Sequence, residues 1–303
     1  MSAAPRRELH AAGRVLELGE RPWLMGIVNA TPDSFSDGRP GEGLAERVAR
    51  ARDLMAAGAD IIDIGGESAI TNQPPVPAAE ELARVVPLVE AVAGELGAVV
   101  SIDTYKPEVA EAAIAAGAAI VNDVSGLRDP RMADVCARTG AALVIMHTAA
   151  PPKVRRQEPD LYGDVREQVE RFLGARMDEA VQRGVAAPQI MLDPGPDFAK
   201  TPAQTIVLIR EVARLHALGR PLLMALSRKD FIGAITGQPP SRRLAGTLAA
   251  LDFAVRAGGH VFRLHDVAAA RDFLAVAAAL EDDGPVDGAL ALADELRHEP
   301  RPA

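Results

Sequence analysis

The chain has 303 residues, long enough for a barrel-sized domain with a large core. A net charge of −9 argues against a nucleic-acid surface, and the single cysteine, Cys136, excludes an internal disulfide and fits a reducing compartment. No apolar run reaches the ~18 residues a membrane helix needs, and residues 1–22 lack the apolar centre of a secretory leader, so a soluble cytoplasmic protein with neither membrane nor nucleic acid as partner is expected.

Residues 1–22 read as a short N-terminal arm, with Val15 and Leu16 expected to pair across the floor of the domain. From residue 23, apolar runs alternate with amphipathic stretches. The runs are Leu24–Asn29, Asp60–Gly65, Ala98–Asp103, Ala118–Asp123, Ala141–His147, Gln189–Asp193, Pro221–Ser227 and His260–Asp266. Between them lie helical patterns such as Ala78–Leu96, Pro107–Ala116, Asp164–Arg183, Ala203–Leu218, Ser241–Ala257 and Val267–Leu280. Ala57-Gly58-Ala59 and Ala116-Gly117-Ala118 read as helix C-caps feeding the next strand. Eight strand–helix units predict an α/β fold, a (β/α)8 TIM barrel over residues 23–282, followed by a tail at 283–303 with a short helix and a frayed end. Cys136 falls in a helix-like segment, where a packed thiol is expected rather than a nucleophile.

In such a barrel the site lies at the C-terminal mouth. The strands deliver Asn29, Glu67, Asp103, Asn122 with Asp123, His147, Asp193, Lys229, and Arg263 with His265 to that mouth. Alternation places Arg263 with His265, Ser101 with Asp103, and Ser227 with Lys229 on shared faces. So many charges at strand ends need partners or ligands. Asp103, Asn122 and Asp193 suit a flat heterocycle that offers ring N–H and amino donors. Lys229, Arg263 and His265 form a cationic edge suited to phosphate or pyrophosphate. Asn29 and Asp37, the latter in the polar loop Asn29–Gly38, are an oxygen-ligand pair suited to Mg²⁺. Together these predict heterolytic loss of pyrophosphate beside a heterocycle. His147 has a second reading as a hydrogen-bonding partner of a neighbouring loop.

The order of motifs resembles the dihydropteroate synthase family over residues 24–280. The matching segments are Met25–Gly38, Asp63–Ser68, Ser101–Thr104, Val121–Gly126, Met146-His147, Asp193-Pro194-Gly195, Phe198 with Lys200, Ser227-Arg228-Lys229 and Arg263–Asp266. Singly these are weak signals; in this order they are highly specific. The resemblance implies condensation of hydroxymethyl-dihydropterin pyrophosphate with para-aminobenzoate, releasing pyrophosphate, in folate biosynthesis. It implies pterin contacts from Asp103, Asn122, Met146, Asp193 and Lys229, and pyrophosphate or Mg²⁺ contacts from Asn29, Arg263 and His265. Phe35 and Phe198 would wall the aminobenzoate site, and a homodimer through helices of the second half is implied.

The chain departs from the family pattern at four places. Ala69-Ile70-Thr71 stands where the family has Thr-Arg-Pro, removing a hydroxyl and a cation. Pro196-Asp197 replaces an apolar residue and Gly, Ala225 replaces a Gly, and Asp230 stands at a helix start where an incoming carboxylate would dock. Helix capping accounts for Asp230 as well, but like charges repel in a partly dry site. The pattern resembles the divergent second copy of this synthase in some actinobacteria. The synthase reading therefore has alternatives: a pterin-binding paralogue with weak or no activity, or a transferase using another amine acceptor. Methyl transfer from a methyl-folate is the least favoured, since the chain carries no corrinoid-binding domain.

Overall fold

Ala12 and Gly13, at φ 49° and 80°, turn the N-terminal arm back on itself in a two-residue hairpin loop. The paired strands are β1 (Arg7–Ala11) and β2 (Arg14–Leu18), antiparallel with Leu9 opposite Leu16. The computed structural model describes residues 4–31, 43–68, 71–281, 286–293 and 296–297. Alternation along the hairpin buries Leu9, Ala11, Leu16 and Leu18 on one face. Leu16 thus meets the floor as expected, whereas Val15 turns outward and is 56% exposed.

Eight parallel strands follow: β3 (Trp23–Asn29), β4 (Ile61–Gly65), β5 (Val99–Asp103), β6 (Ile120–Asp123), β7 (Ala142–Met146), β8 (Ile190–Asp193), β9 (Leu223–Met224) and β10 (Val261–Leu264). They run in the order β8-β7-β6-β5-β4-β3-β10-β9. The ring closes where the Leu192 amide donates to the Pro221 carbonyl at 2.9 Å. This is the expected TIM barrel. Around it lie α1 (Leu44–Ala56), α2 (Ala78–Gly94), α3 (Pro107–Ala115), α4 (Arg131–Thr139), α5 (Val165–Gln182), α6 (Pro202–Arg210), α7 (Asp230–Thr236), α8 (Leu244–Arg256) and α9 (Val267–Glu281). No helix among the described residues is long and apolar enough to cross a membrane.

Three elements differ from the sequence expectation. β9 holds only Leu223 and Met224, so 225–229 leaves the sheet as a loop, turned by Arg228 at φ 56°. The helix expected at 203–218 opens on a Thr201–Gln204 capping box, ends as α-helix at Arg210, and continues as a tighter 3₁₀ helix, Val212–Leu218. In the described part of the tail there are turns and a single 3₁₀ position at Leu296 where a short helix was expected.

Strand alternation sorts the barrel interior into two layers. The lower layer is apolar: Met25, Ile61, Ile120, Val144, Met191, Leu223 and Val261 pack on the hairpin residues Leu9, Leu16 and Leu18. Two residues further along these strands stand Asp63, Asn122, Met146, Asp193 and Arg263. The same parity that fills the floor with hydrocarbon thus lines the mouth with polar groups. Cys136 is fully buried in α4, a packed thiol as expected, and burial pushes it up to about 12.

Candidate active site

Asp63 is the centre of the polar layer and was not singled out as a site residue from the sequence. A carboxylate inside the apolar run Ile61-Ile62-Asp63-Ile64 was the available signal, since a buried strand does not tolerate one without partners. Its Oδ2 accepts from Arg263 Nε at 2.6 Å and from Asn122 Nδ2 at 3.4 Å. Arg263 Nη2 donates to Asp103 Oδ2 at 2.7 Å, so one guanidinium from β10 ties β4 to β5. Burial alone would lower the Arg263 pKa, but the two carboxylates raise it, and the group stays charged. Arg263 therefore turns inward on two carboxylates, where the sequence had it on a phosphate-binding edge.

Three buried polar atoms in this layer have no hydrogen-bond partner: Asp63 Oδ1, Ser101 Oγ and Asn122 Oδ1. Asp63 is the cross-strand neighbour of Ser101, and Asp103 of Asn122, so the unmet groups share one patch of wall. Burying such groups unsatisfied costs ~1–3 kcal/mol each, which a ligand presenting several donors would recover. Asp193 stands across the barrel, its Oδ1 accepting the Gly195 amide at 2.7 Å. Burial pushes Asp193 up to about 6 and Asp103 up to about 7, against the cations nearby. Met146, beside Asp193 in register, supplies a buried apolar wall. Ala225, in place of a family Gly, packs its methyl into the apolar floor.

Outward of this patch, a cavity of about 370 Å³ opens from Asp103 and Lys229 toward the loops. Lys229 lies with its Nζ 4.5 Å from the centre of the Phe198 ring. Burial lowers its pKa, and Asp197 and Asp193 oppose that. His265 Nδ1 lies 2.8 Å from Ser227 Oγ, which also accepts the His265 amide at 3.2 Å. Burial, with Arg263, Arg228 and Lys229 nearby, pushes His265 down to about 3. It is a neutral imidazole at neutral pH, beside the cations Arg263, Arg228 and Lys229.

Asn29 ends β3 with its side chain at Gly65; a Cβ on that glycine would meet Asn29 Oδ1 and Asp103 Oδ2, each at 3.8 Å. Asp103 Oδ2 is taken by Arg263 at 2.7 Å, which leaves Asn29 Oδ1 as the neutral hard oxygen at this strand end, a donor type that suits Mg²⁺. Phe35, Asp37, Ala69 and Ile70 lie outside the described residues.

Among the described residues the His147 ring makes no hydrogen bond to a neighbouring loop: its Nδ1 is buried with no partner, and only its backbone carbonyl reaches the loop. It is buried against Phe172, with ring centres 4.8 Å apart, and burial pushes it down to about 2. Its carbonyl belongs to a cage around Lys200, a fully buried lysine whose Nζ donates to the carbonyls of Gly195 (2.8 Å), Phe198 (3.0 Å) and His147 (3.3 Å). Burial pushes Lys200 down to about 7. The cage fixes the 195–200 loop that presents Phe198. Gly195 is at φ 65°, and a Cβ there would stand 2.1 Å from the His147 carbonyl oxygen, so only glycine fits.

Glu67 belongs to a different cluster. Lys106 Nζ bonds both Glu67 (2.5 Å) and the buried Glu81, while Lys153 lies 3.1 Å from Glu67 and donates to the Ser68 carbonyl. This network joins the loops after β4, β5 and β7 along one wall of the cavity. At Asp230 the side chain is 66% exposed and held by Arg243 at 3.0 Å. The expected repulsion from Asp230 is therefore damped by an ion pair. The Asp230 amide instead donates to Asp197 Oδ2 at 2.5 Å.

Residues 25–265 match the family model described as pterin binding enzyme. The chain belongs to this family. Dihydropteroate synthase of Synechocystis sp. is 42% identical over 268 residues, covering 88% of this chain and 92% of that one. A Mycobacterium tuberculosis relative described as inactive dihydropteroate synthase 2 is 40% identical over 276 residues, covering 88% of this chain and 85% of the relative. Xanthomonas albilineans dihydropteroate synthase, solved with 4-aminobenzoic acid, superposes with a TM-score of 0.83 at 41% identity over 93% of this chain and 100% of that one. The same enzyme is also solved with 7,8-dihydropteroate, at a TM-score of 0.81 and 42% identity, again over 93% and 100%.

Proposed function

We propose that this chain is a transferase of the dihydropteroate synthase type, condensing hydroxymethyl-dihydropterin pyrophosphate with 4-aminobenzoate and releasing pyrophosphate. The observation that carries the reading is the patch of buried, unpartnered acceptors at Asp63, Ser101 and Asn122 facing Asp193. Pterin-ring N–H and amino donors satisfy these acceptors, and Met146 and the apolar floor cover the ring. Arg263 orients Asp63 and Asp103 through its two ion pairs. The pterin methylene then points up toward Lys229 and His265, at the inner end of the cavity. There its bond to the pyrophosphate oxygen breaks, the electron pair leaving with pyrophosphate, while the amine nitrogen forms the new bond and loses a proton to solvent. Lys229 balances charge on the departing group and neutral His265 donates a hydrogen bond to it.

Asn29 would hold Mg²⁺ together with pyrophosphate oxygens, and the ion would supply charge stabilisation for the leaving group. Phe198 walls the amine-acceptor site against Lys229. A homodimer in the cytoplasm completes the proposal. Phe253, Val276 and Leu280 on α8 and α9 are exposed apolar side chains that a second copy would cover, and the one cysteine is a buried thiol. The experiment is a crystal complex with the pterin pyrophosphate and Mg²⁺. The ring is expected on Asp63, Asn122 and Asp193 with pyrophosphate outward at Lys229 and His265; a ring bound elsewhere contradicts the proposal.

A second reading, a pterin-binding protein with weak or no synthase activity, is favoured by one feature, the carboxylate of Asp197 in the acceptor half of the site.

A further inference from the structure

Asp197 is one of seven non-glycine residues at positive φ among the described residues, at 67°. That conformation is natural for glycine, tolerated by Asp, and costs ~1 kcal/mol for other side chains. The backbone there is held firmly: the Asp197 amide donates to Thr205 Oγ1 at 3.0 Å, and the loop on either side is drawn onto the Lys200 cage. The carboxylate therefore has a set position on the wall of the cavity, beside Phe198, Lys229 and Asp230. One oxygen, Oδ2, takes the Asp230 amide; the other, Oδ1, is buried with no hydrogen-bond partner. A buried carboxylate oxygen lacking a donor is an acceptor awaiting one.

The amine acceptor must direct its nitrogen to the inner end of the cavity, where the pterin methylene arrives. Its far substituent then lies toward the outer wall formed by Phe198, Asp197 and Asp230. A carboxylate there meets a fixed like charge and competes for an amide already taken. A neutral group meets no such repulsion, and an N–H donor turned onto Oδ1 would complete the hydrogen bonding of that carboxylate.

We propose that Asp197 is a specificity-determining residue that turns the site away from acceptors with a distal carboxylate and toward acceptors with a distal carboxamide or other neutral N–H donor. The inference rests on the synthase-type reading above and deepens it. Lys153, Arg155 and Arg156 line the opposite rim, and each has a partner of its own: Glu67, Gln157 and Glu158 respectively.

The test is equilibrium binding of 4-aminobenzoate and 4-aminobenzamide to the full chain with pyrophosphate and a non-reactive pterin present, so it does not depend on turnover. Wild type is expected to bind the amide more tightly than the acid. Asp197→Gly, relaxed at φ 67°, and Asp197→Asn, similar in shape but uncharged, should each raise affinity for the acid about tenfold. Asp197→Gly should lower affinity for the amide, and pterin affinity should be unchanged in both. Unaltered acid affinity in both variants overturns the proposal. So does acid affinity that falls in Arg155→Ala/Arg156→Ala and ignores position 197. If the amines bind as described but neither releases pyrophosphate, the synthase-type reading fails and the role of Asp197 stands.

Discussion

Asp193 is the residue where protonation and ligand binding meet. Burial pushes its carboxyl up to about 6, which leaves it largely neutral at pH 5 and ionised at pH 8. An ionised acceptor binds ring N–H donors more strongly than a neutral one. Pterin affinity measured by calorimetry should therefore rise between pH 5 and pH 8. Asp193→Asn should cost at least tenfold at pH 8 and remove the part of the rise centred near pH 6, leaving what Asp103, raised to about 7, contributes. A variant with wild-type affinity and profile would place the pterin elsewhere. At this scale the sequence was informative about position where a side chain ends a strand, as for Asn122 and Asp193, which do stand in the polar layer of the mouth. It was not informative where the role depends on which strands lie opposite. Arg263 could not be assigned to Asp63 and Asp103 without the barrel closed. The neutrality of His265 follows from burial among cations, and the cage around Lys200 is made of carbonyls, which no side-chain pattern reveals.

Elements at the mouth are held by a buried charge network. Glu67, Glu81, Lys106 and Lys153 are each nearly enclosed, and Lys106 neutralises two carboxylates at once. Burial works to raise the Glu67 pKa, but Lys106 and Lys153 outweigh it and hold the carboxyl below its ordinary value. Lys106→Met removes the shared cation and leaves buried charge exposed to a low dielectric. It should cost about 3 kcal/mol and lower the thermal midpoint by several degrees, read by calorimetry. An unchanged midpoint would mean the carboxylates are satisfied without it. The eight strand–helix units were legible because short continuous apolar runs alternate with amphipathic stretches of helical period. The hairpin at residues 7–18 was not, because its strands are short and its inward face is only Leu9, Ala11, Leu16 and Leu18. The Asp197 contact was also hidden, since it joins loops 33 residues apart in sequence.

For the molecule as a whole, the proposed homodimer would bury the outer surface of the second-half helices. Phe253 and Leu280 are 41% and 81% exposed on helices α8 and α9, which pack together. Light scattering should give twice the 31.8 kDa chain mass for wild type and the single mass for Phe253→Glu/Leu280→Glu. A wild-type monomer would remove the dimer from the proposal without touching the site within the barrel. The site itself is built by one chain: the floor, the polar layer and the cavity wall all come from one ring of strands and its loops. The central claim is that this ring performs pterin transfer, and steady-state pyrophosphate release tests it most directly. With hydroxymethyl-dihydropterin pyrophosphate, Mg²⁺ and 4-aminobenzoate, wild type should release pyrophosphate and form 7,8-dihydropteroate in equal amounts, and Asp193→Asn should do neither. Pyrophosphate release that ignores the amine, or no release with either 4-aminobenzoate or 4-aminobenzamide while the pterin binds, would contradict it.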